Sequence, residues 1–254
     1  MSRWTLSPAF LVPVALLIAL ALMAPAARAA GFDLRWDACP GDGGVSNRNF
    51  ACDTEAGMNT LVASFRLDQP INSVALIEGV LDLIVANGQP VPAWWDFISC
   101  RPGSLNADAT IYATAAACAD WSPGTGFAGV IGYDGSGSIA PGDQASHRRI
   151  KVACTHDVPQ PNLAASQDYF LFNVQIDNFL TIDTGGGECA GCSLPACIVL
   201  NSLRFLNTSF QVTLLETPNS AGSNFATWQG GSGANCMSVP VKQATWGAIK
   251  SLYR

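Results

Sequence analysis

The apolar and polar positions of this chain alternate as they do in short strands. In residues 60–67, Leu61, Ala63, Phe65 and Leu67 recur at every second position, the signature of a strand with one buried face. Residues 169–177 carry the pattern most clearly. Phe170, Phe172, Val174 and Ile176 are expected on one face, and Asn173, Gln175 and Asp177 on the other. Runs at 109–114, 149–154, 197–205 and 210–215 read the same way. Residues 74–85 (VALIEGVLDLIV) are apolar almost throughout. Their length also suits a short helix, but Gly79 and the β-branched content favour strands. Turn formers such as Asn87-Gly88, Pro123-Gly124, Asp134-Gly135 and Gly185-Gly186-Gly187 separate the runs. About eight to ten short strands with hardly a long helix predict an all-β fold. The expected architecture is a two-sheet antiparallel β-sandwich, jelly-roll or immunoglobulin-like, with a barrel as the alternative.

The two ends differ from the middle. Residues 10–23 (FLVPVALLIALALM) form an apolar run behind Arg3, and Ala27-Arg28-Ala29 places small residues before a cleavage point. That is the layout of a secretory signal peptide over 1–29, and the run is short for a membrane span of about 20 residues. Near the other end Trp246, Ile249 and Tyr253 recur three to four apart. This predicts a short C-terminal helix capping the strands. Its bases Lys242, Lys250 and Arg254 leave a recognition tail for export or attachment as the bolder reading. No composition shift or internal repeat divides 30–254, which reads as one domain.

Charge narrows the function classes. The chain has 13 bases, 19 acids and a net charge of −6, with charged residues at 13 % and hydrophobic residues at 49 %. The apolar content excludes a disordered acidic chain, and the lack of a basic footprint excludes a nucleic-acid binder. Removing 1–29 takes Arg3 and Arg28 and no acid, so the exported part is more acidic still. No second apolar run approaches membrane length, so membrane insertion after cleavage is not expected. The expected location is secreted and extracellular, in the periplasm or at the cell surface.

Nine cysteines follow the signal peptide, and an exported chain meets oxidising conditions. Eight are disulfide candidates: Cys39, Cys52, Cys100, Cys118, Cys189, Cys192, Cys197 and Cys236. Because short loops are the least costly to close, Cys39–Cys52 and Cys100–Cys118 are the expected bridges. The last four would pair among themselves, and Cys154 is left over. Cys189-Ala190-Gly191-Cys192 also has the spacing of a redox or zinc motif. Its glycine-rich and proline flanks lack the helix that a redox motif uses, and Ser193 stands where haem attachment needs His.

Other chemistry is sparse. Gly124-Thr125-Gly126-Phe127-Ala128-Gly129 matches G-x-G-x-x-G without the strand and helix that hold a pyrophosphate, and reads as a glycine-rich loop. Only His147 and His156 are available as bases for a serine triad, and no G-x-S-x-G occurs. Many carboxylates offer glycosidase pairs with no discriminating spacing. No cofactor is expected. The acidic turns at Asp37, Asp42, Asp53, Asp183 and Glu188 make Ca²⁺ the one ion worth testing. Trp94, Trp95 and Trp121 are the candidate ligand-facing rings, since neighbours on a strand point to opposite faces. Asn207-Thr208-Ser209 is a formal glycosylation sequon. The expected function is a non-catalytic structural or binding module for an extracellular carbohydrate or protein. The alternative is a secreted, glycosidase-like hydrolase of an extracellular polymer.

One further pattern spans the exported part: Leu34-Arg35-Trp36-Asp37-Ala38-Cys39, Asn47-Arg48-Asn49-Phe50-Ala51-Cys52, Pro92-Ala93-Trp94-Trp95-Asp96-Phe97, Cys189-Ala190-Gly191-Cys192 leading to Cys197-Ile198-Val199-Leu200, Thr227-Trp228-Gln229-Gly230-Gly231, and the end from Thr245 to Arg254. In this it resembles a family of secreted bacterial proteins to which no activity is assigned. The resemblance implies no catalytic residue, and Cys154 is the extra cysteine in that pattern.

Overall fold

A computed structural model of the chain describes residues 29–124, 126–134, 145–157, 161–220 and 223–237. The expected signal peptide, apart from Ala29, and the expected C-terminal helix lie outside the described residues. Twelve strands occur among those residues: β1 (Gly31–Trp36), β2 (Asn47–Arg48), β3 (Met58–Arg66), β4 (Val74–Val85), β5 (Leu105–Asp108), β6 (Ala119–Asp120), β7 (Gly126–Asp134), β8 (His147–His156), β9 (Asp168–Asp177), β10 (Ala196–Asn207), β11 (Val212–Leu215) and β12 (Phe225–Trp228). The fold is all-β and built of two sheets. The first runs β1-β3-β9-β5, with β6 also on β9. The second runs β2-β12-β10-β4-β8-β7, with β11 on β10.

Both sheets are mixed rather than purely antiparallel as expected. β2 pairs with β12, and β6 with β9, in parallel. Each parallel pair involves a two-residue strand that reaches a sheet from a loop, so no hydrophobic run announces it. The apolar faces of both sheets feed one core. Leu61, Ala63 and Phe65 of β3 and Phe172, Val174 and Ile176 of β9 share it with Ile77, Leu81 and Leu83 of β4 and Leu200, Leu203 and Phe205 of β10. Gly79 marks where the sheets press together, because a β-carbon there would lie 2.8 Å from the Phe172 ring. Residues 74–85 are one continuous strand, and the odd positions from Ile77 to Leu83 supply its core face.

Two strand expectations are corrected. The register of β3 against β9 slips between Ala63 and Ser64. That bulge turns Phe170 away from Phe172, so Phe170 packs with Val62, Cys39 and Cys118 on the other side of the first sheet. Residues 109–114 form no strand, since β5 stops at Asp108. They instead cross the outside of the first sheet, with Ile111 and Tyr112 against that small cluster. The anchor is Asp42, which accepts from the Tyr112 hydroxyl at 2.5 Å and from the N–H groups of Ala116 and Ala117.

This anchor is sensitive to alkali. Burial, and next the bond to Asp42, push the Tyr112 phenol up to about 12. The same bond, with the Ala116 and Ala117 N–H groups, holds the Asp42 carboxyl below its usual value. The folded phenol keeps its proton longer than the unfolded one. Its stabilisation is therefore complete below pH 10.0 and is lost as pH rises through about 12. Tyr112→Phe is expected to lower stability by about 1 kcal/mol at neutral pH, solvent access keeping the loss small. It should also flatten the decline between those two pH values. Urea unfolding of both proteins across that range checks both effects.

Candidate functional site

The four disulfides join Cys39 to Cys118, Cys52 to Cys192, Cys100 to Cys189, and Cys197 to Cys236. The expected Cys39–Cys52 and Cys100–Cys118 bridges are therefore replaced. Loop entropy ranks closures of a featureless chain, whereas in the fold the sheets set distant segments side by side and so decide which sulfurs are within reach. Cys189 and Cys192 are each bonded elsewhere, so the loop between them is tied to two separate stretches of chain. Cys154 is free and buried in the core. Burial pushes its thiol well above the ordinary value, which leaves little reactive thiolate.

Trp94, Trp95 and Trp121 are not surface rings, for all three are at most 1 % exposed. Trp94 and Trp95 lie in a 3-10 turn, not a strand, so both rings turn inward. Trp94 donates to Thr181 and packs at 4.6 Å from Trp228. The Arg101 guanidinium lies 3.8 Å from the Trp94 ring and donates to the carbonyl oxygens of Trp94 and Phe179. Trp121 donates to the Leu171 carbonyl. Phe50 stacks on Trp228 at 4.1 Å and meets the edge of Trp36, closing the same aromatic cluster.

Three of the acidic turns have protein partners, Asp42 among them through Tyr112, Ala116 and Ala117. Asp37 pairs with Arg48, and Asp183 accepts from the N–H groups of Gly185 and Gly187. Among the described residues, no three His, Cys, Asp or Glu side chains gather as metal ligands. Ser146 Oγ lies 3.3 Å from His147 Nδ1, but both residues are buried. The ring of His156 lies against Trp121. No helix among the described residues is long and apolar enough to cross a membrane.

What remains is the outer face of the second sheet. Cross-strand register fixes its rows. One row runs Val212, Leu206, Leu76, Thr155, Phe127 across β11, β10, β4, β8 and β7. The next runs Leu214, Arg204, Glu78, Ala153, Gly129. Exposure along them is high for apolar groups: Val212 46 %, Leu214 43 % and Phe127 62 %, with Ile131 at 57 % beside them and Phe210 at 84 % on the hairpin tip. A β-carbon on Gly129 would meet open space. One ion pair, Arg204 to Glu78 at 2.9 Å, stands among these side chains. The other half of the same face is covered. There Ile84, Cys197 and Val199 pack with Phe225, Ala234 and Cys236, and the Cys197–Cys236 bridge ties the chain down.

No family model matches this chain, nor does any curated protein.

The sequence carried a faint signal of this face. Residues 74–85 are apolar on both sides, more than one buried face requires. Phe210, Val212 and Leu214 also sit at every second position. The glycines of 124–129 concealed the rest, because Gly126 to Gly129 open the edge strand β7 and are no loop.

Proposed function

We propose that this chain is an exported, non-catalytic contact module: a single β-sandwich domain, stapled by disulfides, that offers the open half of one outer sheet face to another protein. The observation that carries the reading is the pair of five-residue rows with Phe127, Val212 and Leu214 bare to solvent. A contiguous apolar patch is uncommon on a soluble surface unless something binds there. A protein suits this patch better than a sugar, because the described tryptophan rings, the best platforms for a sugar, are spent in the core and the face is otherwise mostly aliphatic. The signal-peptide pattern, the oxidised cysteines and the resemblance to secreted bacterial proteins support release outside the cytoplasm.

Photo-crosslinking in the secreting host tests this. A benzophenone residue placed at Phe127 or at Leu214 is expected to give the same protein adduct. Placed at Phe179, exposed at 46 % elsewhere on the surface, it should give none. Leu76→Lys in the middle of the face should abolish the adduct and shift Tm by only a few degrees. Equal labelling at all three positions overturns the proposal, and so does turnover of a polysaccharide that survives Leu76→Lys.

A further inference from the structure

The open face is suited to a copy of itself. Resting on the reading just given, we infer that two copies of this chain associate face to face through the open half of the second sheet.

Charge is the first reason. The whole chain carries −6, so two copies repel over most of their surfaces. Among the paired outward positions of the open half the charges are Glu78, Arg204 and Lys151, so this half is less acidic than the chain as a whole and opposes a second copy less. The second reason is self-complementarity. A two-fold contact places each patch on the same patch of its partner. The Arg204–Glu78 pair lies in the middle of the rows, so a two-fold axis near it sets the Arg204 of each copy beside the Glu78 of the other. Both side chains keep solvent access in one copy, at 52 % and 31 %, and are free to trade partners.

Area is the third reason. Five strands at about 4.8 Å spacing and three rows of outward residues, the third running Ser202, Val80, Lys151, Gly132 across β10, β4, β8 and β7, cover roughly 20 by 24 Å. With side-chain relief that is about 600 Å² per copy, at the lower end of specific interfaces. The expected complex is therefore a reversible dimer, formed at micromolar concentration rather than permanently.

Sedimentation velocity of the purified exported chain from about 1 to 100 µM tests the inference. The wild type should shift from monomer to dimer across that range. Phe127→Lys and Leu214→Lys, both at exposed positions, should each weaken association about tenfold. Glu78→Lys alone and Arg204→Glu alone should weaken it too. An equimolar mixture of those two variants should form a heterodimer, seen by native mass spectrometry, because opposite charges then meet at both crossings. A wild type that stays monomeric throughout overturns the inference. So does a dimer that none of these substitutions weakens. If the chain is monomeric while Phe127 and Leu214 still crosslink to a different protein, self-association fails and the contact-module reading stands. If the crosslinks fail as well, both fall.

Discussion

Replacing Cys52 and Cys192 together by alanine is expected to lower the free energy of unfolding by about 4 kcal/mol. Taken alone, a bridge across 140 residues would contribute about 5 kcal/mol through the chain entropy it removes from the unfolded state. The other bridges reduce that figure. Cys39–Cys118 and Cys100–Cys189 already bring the two sulfurs closer along the crosslinked chain, leaving an effective loop of roughly 35 residues and a contribution of about 4 kcal/mol. For a domain whose total stability is about 5–15 kcal/mol, that loss is large. Tm should fall by roughly 8–16 °C. The near-ultraviolet dichroism should change as well, because Cys52 fixes the strap that holds Phe50 on Trp228. Gln229 grips the backbone of Phe50 from both sides, accepting from its N–H and donating to its carbonyl. The strap should therefore loosen rather than leave. A loss below about 1 kcal/mol in urea unfolding would mean that the bridge constrains little of the unfolded chain.

The disulfide network also shows which parts of the fold were legible in the sequence. β3 is legible in residues 60–67 because its alternation answers to one dry face, and Leu61, Ala63 and Phe65 all enter the core. β9 is less regular than its sequence pattern implies. Nothing in Tyr169-Phe170-Leu171-Phe172 distinguishes a bulge from a straight strand, since every residue there is apolar and each face accepts one. The strand expected at 109–114 failed for a different reason. Ile111 and Tyr112 are apolar because they cover the outside of a sheet, a demand that looks the same in sequence as membership of one. The pairing of cysteines is a long-range property and was hidden from any argument about local loops. The open face was hidden because its residues come from five strands, and only register brings Leu214 into line with Glu78 and Gly129.

The same outer face contains the second large expected effect. Asp82 of β4 is fully buried, and Arg149 of β8 grips both its carboxylate oxygens at 2.7 and 2.8 Å, while Asn201 donates to one of them at 2.8 Å. Asp82→Ala removes that carboxylate from beside a guanidinium whose side chain is only 2 % exposed. A loss of about 3 kcal/mol is expected, because the buried guanidinium loses the carboxylate that accepts two of its N–H groups. Replacing Arg149 by methionine as well removes the buried guanidinium itself. The double variant should therefore be more stable than Asp82→Ala alone, a coupling that a double-mutant cycle in urea measures. Strictly additive losses would mean that solvent screens the pair. The internal control lies four residues back on the same strand and face. Glu78 and Arg204 make a bond of similar length, 2.9 Å, in the open half, and breaking it should cost less than about 1 kcal/mol. Two ion pairs on one strand thus differ severalfold in expected effect because one half of the face is covered and the other is not.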